Sequence, residues 1–244
     1  MDTPAGRMIE LQAILARTFA LAHRGRHAGQ GFDLCGGTHC QVYRSGASPA
    51  LRATVQRSHG LVMTMPNRQP IRAVFHASCG GSTSPAETAW EGRGVAYLKA
   101  RPDEFCTHGR HAHWTFEAPR DQLRETLNRR RSTSPGAFLA GVDVIARDEA
   151  GRARLILISG ERSPVVRAEE FRAVVSADFG ALGLRSAKFE VKAVGRTFQF
   201  TGSGFGHGVG LCQEGARERL RAGHSLEQVL GYYYPGARLT RLNL

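Results

Sequence analysis

The chain has 244 residues, enough to bury a core as one large domain or two small ones. Its hydrophobic fraction of 41% and charged fraction of 22% are ordinary for a soluble globular protein. No run reaches the roughly 18 apolar residues that would span a bilayer, and no export signal is visible, since Met1 leads almost directly into a helix. The net charge of +12 stands out and is nearly all arginine, the only lysines being Lys99, Lys188 and Lys192. Such a surface suits an anionic polymer, either nucleic acid or an acidic cell wall. The nucleic-acid reading rests on charge alone, with no recognised motif behind it.

Thr3-Pro4 reads as an N-cap with proline at the first helical position, opening a helix that runs to about Arg24. Leu11, Leu15, Phe19 and Ala22 repeat at helical spacing, with small Ala13, Ala16 and Ala20 between them. Arg17 sits among these apolar positions and requires an anionic partner or a cleft. Glu10 lies on the same line of the helix, roughly 10 Å away. Next come His27, Cys35, His39 and Cys40, four metal-type ligands within fourteen residues, with glycines between them. Two thiolates and two imidazoles make a tetrahedral zinc set. The competing reading is a Cys35–Cys40 disulfide with both histidines solvated.

Ser48 to Arg57 reads as a helix, and Gly60–Met65 and Ile71–His76 as a hairpin across Pro66–Pro70. Cys79-Gly80-Gly81 breaks the second strand and leads to Trp90, a candidate stacking platform whose ordinary alternative is a core tryptophan. In an extended Tyr97-Leu98-Lys99 the tyrosine and the lysine point the same way. Cys106 either pairs with Cys79, or one of the two extends the metal site; His108, His111 and His113 read as a solvated loop. Residues 115 to 200 read as a β-rich subdomain inserted between the two ends of the site, with a helix over Arg120–Arg130 and another over Arg167–Val175. A hairpin turns at Glu149-Ala150-Gly151, and a further strand pair turns at Gly195.

Gly202 to Gly210 then alternates glycine with Ser203, Phe205, His207 and Val209. If this segment is extended, one face is bare backbone, and glycine there signals close approach by another segment or by an extended ligand. A helix follows from about Gln213 to Arg221. Ser225 with Gln228 forms a capping box for a last helix that Pro235-Gly236 stops.

The run Gly204-Phe205-Gly206-His207-Gly208-Val209-Gly210-Leu211-Cys212-Gln213-Glu214-Gly215-Ala216 resembles the signature of the stage II sporulation protein D family. The first helix, His76-Ala77-Ser78-Cys79-Gly80-Gly81, Trp90, Tyr97-Leu98-Lys99 and Tyr232-Tyr233-Tyr234-Pro235-Gly236 match that family in order. The resemblance implies a single α+β domain over residues 1–244, mainly antiparallel sheet, with N-terminal and C-terminal helices packed around a glycan-binding cleft. It implies a protein of the cell envelope whose partners are peptidoglycan glycan strands and a wall amidase. Its members are lytic transglycosylases or amidase enhancers. Arg17, Tyr97 and Lys99 take catalytic roles by this likeness, while His207, Gln213 and Trp90 take substrate-binding ones. It also favours a structural zinc on His27, Cys35, His39 and Cys40 over the disulfide. The family's catalytic glutamate, counted back from Arg17, falls ahead of Met1, so the expectation is a chain that begins inside the family domain or one that has lost its acid. Arg17 and His207 are expected to line one groove with Lys99.

Overall fold

A computed structural model describes residues 3–37, 39–90, 92 and 94–243; Thr38 of the cysteine-histidine motif lies outside this set. The fold is α+β, with antiparallel strand pairing throughout the ladders described below. It divides into two compact units, residues 1–75 with 216–244, and residues 76–215.

In the first unit the helix Pro4–Ala22 starts where its sequence directs. Thr3 accepts a hydrogen bond from the Gly6 N–H, and proline occupies the first turn. Leu11, Ile14, Leu15, Thr18 and Phe19 are its buried stripe. Each of the three aliphatic side chains contributes about 1.5–3 kcal/mol by leaving water. The Thr18 hydroxyl donates to the Ile14 carbonyl and accepts from the Met63 N–H at 2.9 Å, which ties the helix to the strand Leu61–Thr64. That strand pairs in register with Arg238–Arg241, a strand the sequence reading missed. The expected hairpin is present in short form, with one antiparallel bridge between Thr64 and Pro70 and the Ile71 N–H bonded to the Met63 carbonyl. Helices Pro49–Arg57 and Leu226–Tyr233 are each capped by a serine, and the capping box of Ser225 and Gln228 is complete in both directions.

In the second unit two three-stranded sheets carry the core. One places Thr197–Gly202 between Trp114–Pro119 and Phe189–Val194; the other places Ala153–Gly160 between Leu139–Arg147 and Val165–Arg167. Strand periodicity explains the middle strand of the first sheet. Phe198 and Phe200 point inward and are buried, while Gln199 points outward to Glu117. The helices Arg120–Asn128 and Ala168–Phe179 add Leu123, Leu127, Phe171 and Val175 to the same core.

Candidate functional site

The alternating-glycine segment is not a regular strand. Gly204, Gly206, Gly208 and Gly210 have φ of 81°, 98°, 78° and 70°, a region that side chains disfavour, so strict two-face alternation is lost. The segment instead serves as a hub. The N–H groups of Ser203, Gly204, Phe205 and Gly206 bond to the carbonyls of Lys188, His111, Ser78 and Arg185, while the Gly208 carbonyl accepts from Ser84. What approaches the bare backbone is the protein itself. A Cβ on Gly204 would lie 2.9 Å from the Ser78 oxygen, and one on Gly208 would overlap the Arg152 guanidinium. Arg152 is fully buried and spans the hub, donating to the carbonyls of Gly206 (3.2 Å) and Cys79 (3.0 Å).

This hub presents His207. Its Nδ1 accepts the Val209 N–H at 3.1 Å, and its half-buried ring lies 4.9 Å from Trp90 and 5.4 Å from His76. Trp90 is 42% exposed, so its indole is a surface plane and not core. It terminates the short helix Ala86–Ala89, which Arg167 holds through the Glu87 and Thr88 carbonyls and Asp148 holds through the Thr88 hydroxyl. His76 lies behind. Its Nδ1 bonds the Val209 carbonyl, its Nε2 is buried with no hydrogen-bond partner among the described residues, and burial first, then His207 and Arg152, push its pKa well below the usual histidine value.

Tyr97 lies in a turn over residues 95–98, closed by the Leu98 N–H on the Val95 carbonyl, and Lys99 follows it, so the extended geometry expected for Tyr97-Leu98-Lys99 does not hold. The Leu98 carbonyl accepts from Ala86, which ties the turn to the helix carrying Trp90. Lys99 is exposed and Tyr97 half-buried; Gln213 is half-buried and opens the helix Gln213–Arg221. Arg17 belongs to the first unit. Its Nη1 donates to the carbonyls of Ser58 (2.8 Å) and Leu61 (2.6 Å), and burial followed by Arg241 lowers its pKa. Neither an ion pair with Glu10 nor a cleft was needed to satisfy that nitrogen, because backbone oxygens do so; Glu10 lies 3.7 Å from Arg57 instead.

The first unit also gathers His27, Cys35, His39 and Cys40. The His27 Nε2 lies 3.2 Å from the His39 Nδ1 and 3.4 Å from the Cys40 Sγ, and the His39 Nδ1 is 3.7 Å and 3.6 Å from the two sulfurs. A tetrahedral ion with metal–sulfur bonds of about 2.3 Å and metal–nitrogen bonds of about 2.0–2.1 Å needs edges of about 3.3 Å between nitrogens and about 3.6 Å between nitrogen and sulfur. The donors therefore fit such an ion. The His27 Nδ1 pairs with the Gln30 Oε1 at 2.7 Å, the outer-sphere bond that leaves Nε2 free to ligate. The Gly37 N–H first, and His39 next, lower the Cys35 thiol to about 6, favouring the thiolate that a metal requires. Cys35 and Cys40 carry no disulfide.

Cys79 and Cys106 are likewise unbonded to each other, and neither joins this first cluster. They belong to a separate group with Asp103 and Cys212, two residues that sequence reasoning passed over. For Cys212 the available signal was a cysteine with no local partner; Asp103 offered none. Among the three histidines read as solvated, His111 is in fact buried, against Phe205.

Comparison with known proteins follows the same division of the chain. A family model described as "Stage II sporulation protein" matches residues 5–65, and one described as a domain of unknown function matches residues 97–210. Stage II sporulation protein D of Bacillus amyloliquefaciens is 31% identical over 192 residues, which is 76% of this chain and 49% of that protein. The protein of the same name from Bacillus subtilis (strain 168) is 27% identical over 254 aligned residues, 95% of this chain and 68% of the relative. The chain is a homologue of the stage II sporulation protein D family. An amidase enhancer of Bacillus subtilis (strain 168) is 25% identical over 281 aligned residues, 95% of this chain and 38% of that protein. This sporulation protein D homologue thus spans between about a third and two thirds of the length of these relatives. No helix among its described residues is long and apolar enough to cross a membrane.

Proposed function

We propose that the chain works at the bacterial cell wall, binding peptidoglycan glycan strands on the face where Trp90 overlies His207. The observation that carries this reading is the exposed Trp90 plane, backed by His207 at 4.9 Å and fixed by the anchored helix beneath it. A pyranose presents a C–H face that packs on such a plane, while the indole edge stays wet. The excess of arginine suits an acidic wall, and likeness to an amidase enhancer supports the same setting, with a wall amidase as partner.

The catalytic form of this reading is a lytic transglycosylase. There the 6-hydroxyl of the muramyl sugar attacks its own anomeric carbon, the bond to the leaving oxygen breaks, and a 1,6-anhydro ring closes. The nucleophile is already tethered, so proximity supplies much of the rate. One carboxyl can give its proton to the leaving oxygen and recover one from the hydroxyl. Tyr97 and Lys99, joined through Leu98 to the Trp90 helix, would supply a phenol and a cation to the developing charge. Gln213 would add a polar contact. This reading assigns the acid to no residue of the chain. The non-catalytic reading, an amidase enhancer, is favoured by the engagement of Arg17 with two backbone carbonyls. We read the ion of the first cluster as zinc, structural because protein atoms fill all four positions.

Retention on insoluble peptidoglycan tests the binding face. Trp90→Ala is expected to weaken it by about tenfold or more, which is about 1.4 kcal/mol, without lowering the melting temperature. Equal retention of the variant and the parent overturns the reading. Anhydromuramyl ends appearing from purified glycan strands would favour the transglycosylase, and tight retention without them the enhancer.

A further inference from the structure

We infer that Cys79, Asp103, Cys106 and Cys212 form a second metal site, separate from the first, that takes a thiophilic divalent cation of the zinc type. Four potential ligand atoms from three distant stretches of chain lie within 4.8 Å of one another, and all four residues are 0% exposed. The Cys106 and Cys212 sulfurs are 3.2 Å apart, and the Cys79 sulfur lies 3.6 Å from Asp103 Oδ2. The first distance is well beyond a disulfide bond of about 2.05 Å. With the 4.8 Å limit it brackets the edge of about 3.8 Å that two thiolates span across a tetrahedral ion.

Hydrogen-bond donors surround two of the sulfurs. The Cys79 and Gly215 N–H groups both point at the Cys212 Sγ, each at 3.3 Å, and the Ser78 hydroxyl lies 3.2 Å from the Cys106 Sγ. Asp103 and Cys106 are spaced i, i+3 across the short turn Glu104–Cys106, closed by the Cys106 N–H on the Asp103 carbonyl, so both reach the same point. Two cations grip the loop that carries Cys79. Arg152 donates to the Cys79 carbonyl, and the Lys188 Nζ donates to the Gly80 carbonyl at 2.9 Å.

The charge around the cluster is compatible with a metal site. A fully buried guanidinium is costly without a counter-charge. Among the described residues the Arg152 guanidinium donates to backbone oxygens, and Glu169 first, then the Cys79 sulfur and Asp148, are the negative groups that bear on its charge. Three thiolates and one carboxylate around a divalent cation leave a charge of −2, which Arg152 and Lys188 neutralise. Binding displaces the three thiol protons to solvent and forms four metal–ligand bonds, with no redox change. The ion would fasten the Cys79 loop, the Asp103 turn and the end of the glycine hub to one another.

The full chain, purified under reducing conditions and reconstituted with zinc, is expected to hold two equivalents of metal by elemental analysis. Cys35→Ser with Cys40→Ser removes the first site and is expected to leave one equivalent; Cys106→Ser with Cys212→Ser is expected to leave the other. Cobalt loading of the Cys35→Ser, Cys40→Ser protein keeps the test valid should the buried variant misfold. There the sulfur-to-cobalt charge-transfer band is expected at the intensity of three thiolates. No metal in that protein after reconstitution, or a mass two hydrogens lower that reports a Cys106–Cys212 disulfide, overturns the inference.

Discussion

The two cysteine clusters make an instructive pair. The first, His27 to Cys40, lies within one short stretch at the edge of its unit, with only Cys40 buried. The second, Cys79 to Cys212, draws on loops far apart in the chain and is sealed from solvent. A local cluster organises itself from glycine-rich turns and needs little from the rest of the protein. A non-local one exists only once the sheets and the glycine hub are in place, so its ligands inherit the rigidity of the core around them.

Three measurements press on that contrast. The largest effect is expected at Gly208→Ala, where a Cβ would overlap the Arg152 guanidinium at a φ of 78°. Overpacking and left-handed strain together are expected to destabilise the second unit by about 3 kcal/mol or more. A melting curve within about 1 °C of the parent would mean that the hub yields more easily than its packing implies.

The middle effect is a pH dependence. His76 is fully buried with its pKa depressed, so it stays neutral in the fold while the unfolded chain takes up a proton near pH 6.5. Its contribution is therefore intact above that pH and is lost progressively as pH falls below it. His76→Gln is expected to flatten this part of the stability profile measured by denaturant titration; an unchanged slope would show that His76 does not carry it.

The smallest effect belongs to the first cluster. Gly29→Ala, between His27 and Cys35, meets nothing within 4 Å and needs no positive φ. A change in stability within about 0.5 kcal/mol and unaltered metal affinity are expected. A marked loss of metal would show that the turn is less self-sufficient than the contrast supposes.

The same contrast explains what the amino-acid sequence made legible. Helix starts at Thr3, Ser48 and Ser225, the turn at Gly195 and the gathering of His27, Cys35, His39 and Cys40 are short-range signals, and each is found where it was read. Arg238–Arg241 was missed because its strand character comes from pairing with Leu61–Thr64 across most of the chain. Tyr97 and Lys99 were placed on one face by assuming an extended backbone, yet a local turn with the Val95 carbonyl prevailed. The glycines of the hub signalled close approach correctly in kind. That the approaching atoms are Arg152 and the Ser78–Cys79 backbone is a tertiary fact, and no window of sequence contains it.

The insertion of Arg152 into the space a side chain at position 208 would need has a consequence for anyone redesigning this protein. The two positions form one unit of choice despite their separation along the chain. A library that varies either alone will mostly return unfolded clones. One that trades the arginine for a smaller residue while admitting alanine at 208 explores sequences that single-site scanning never reaches.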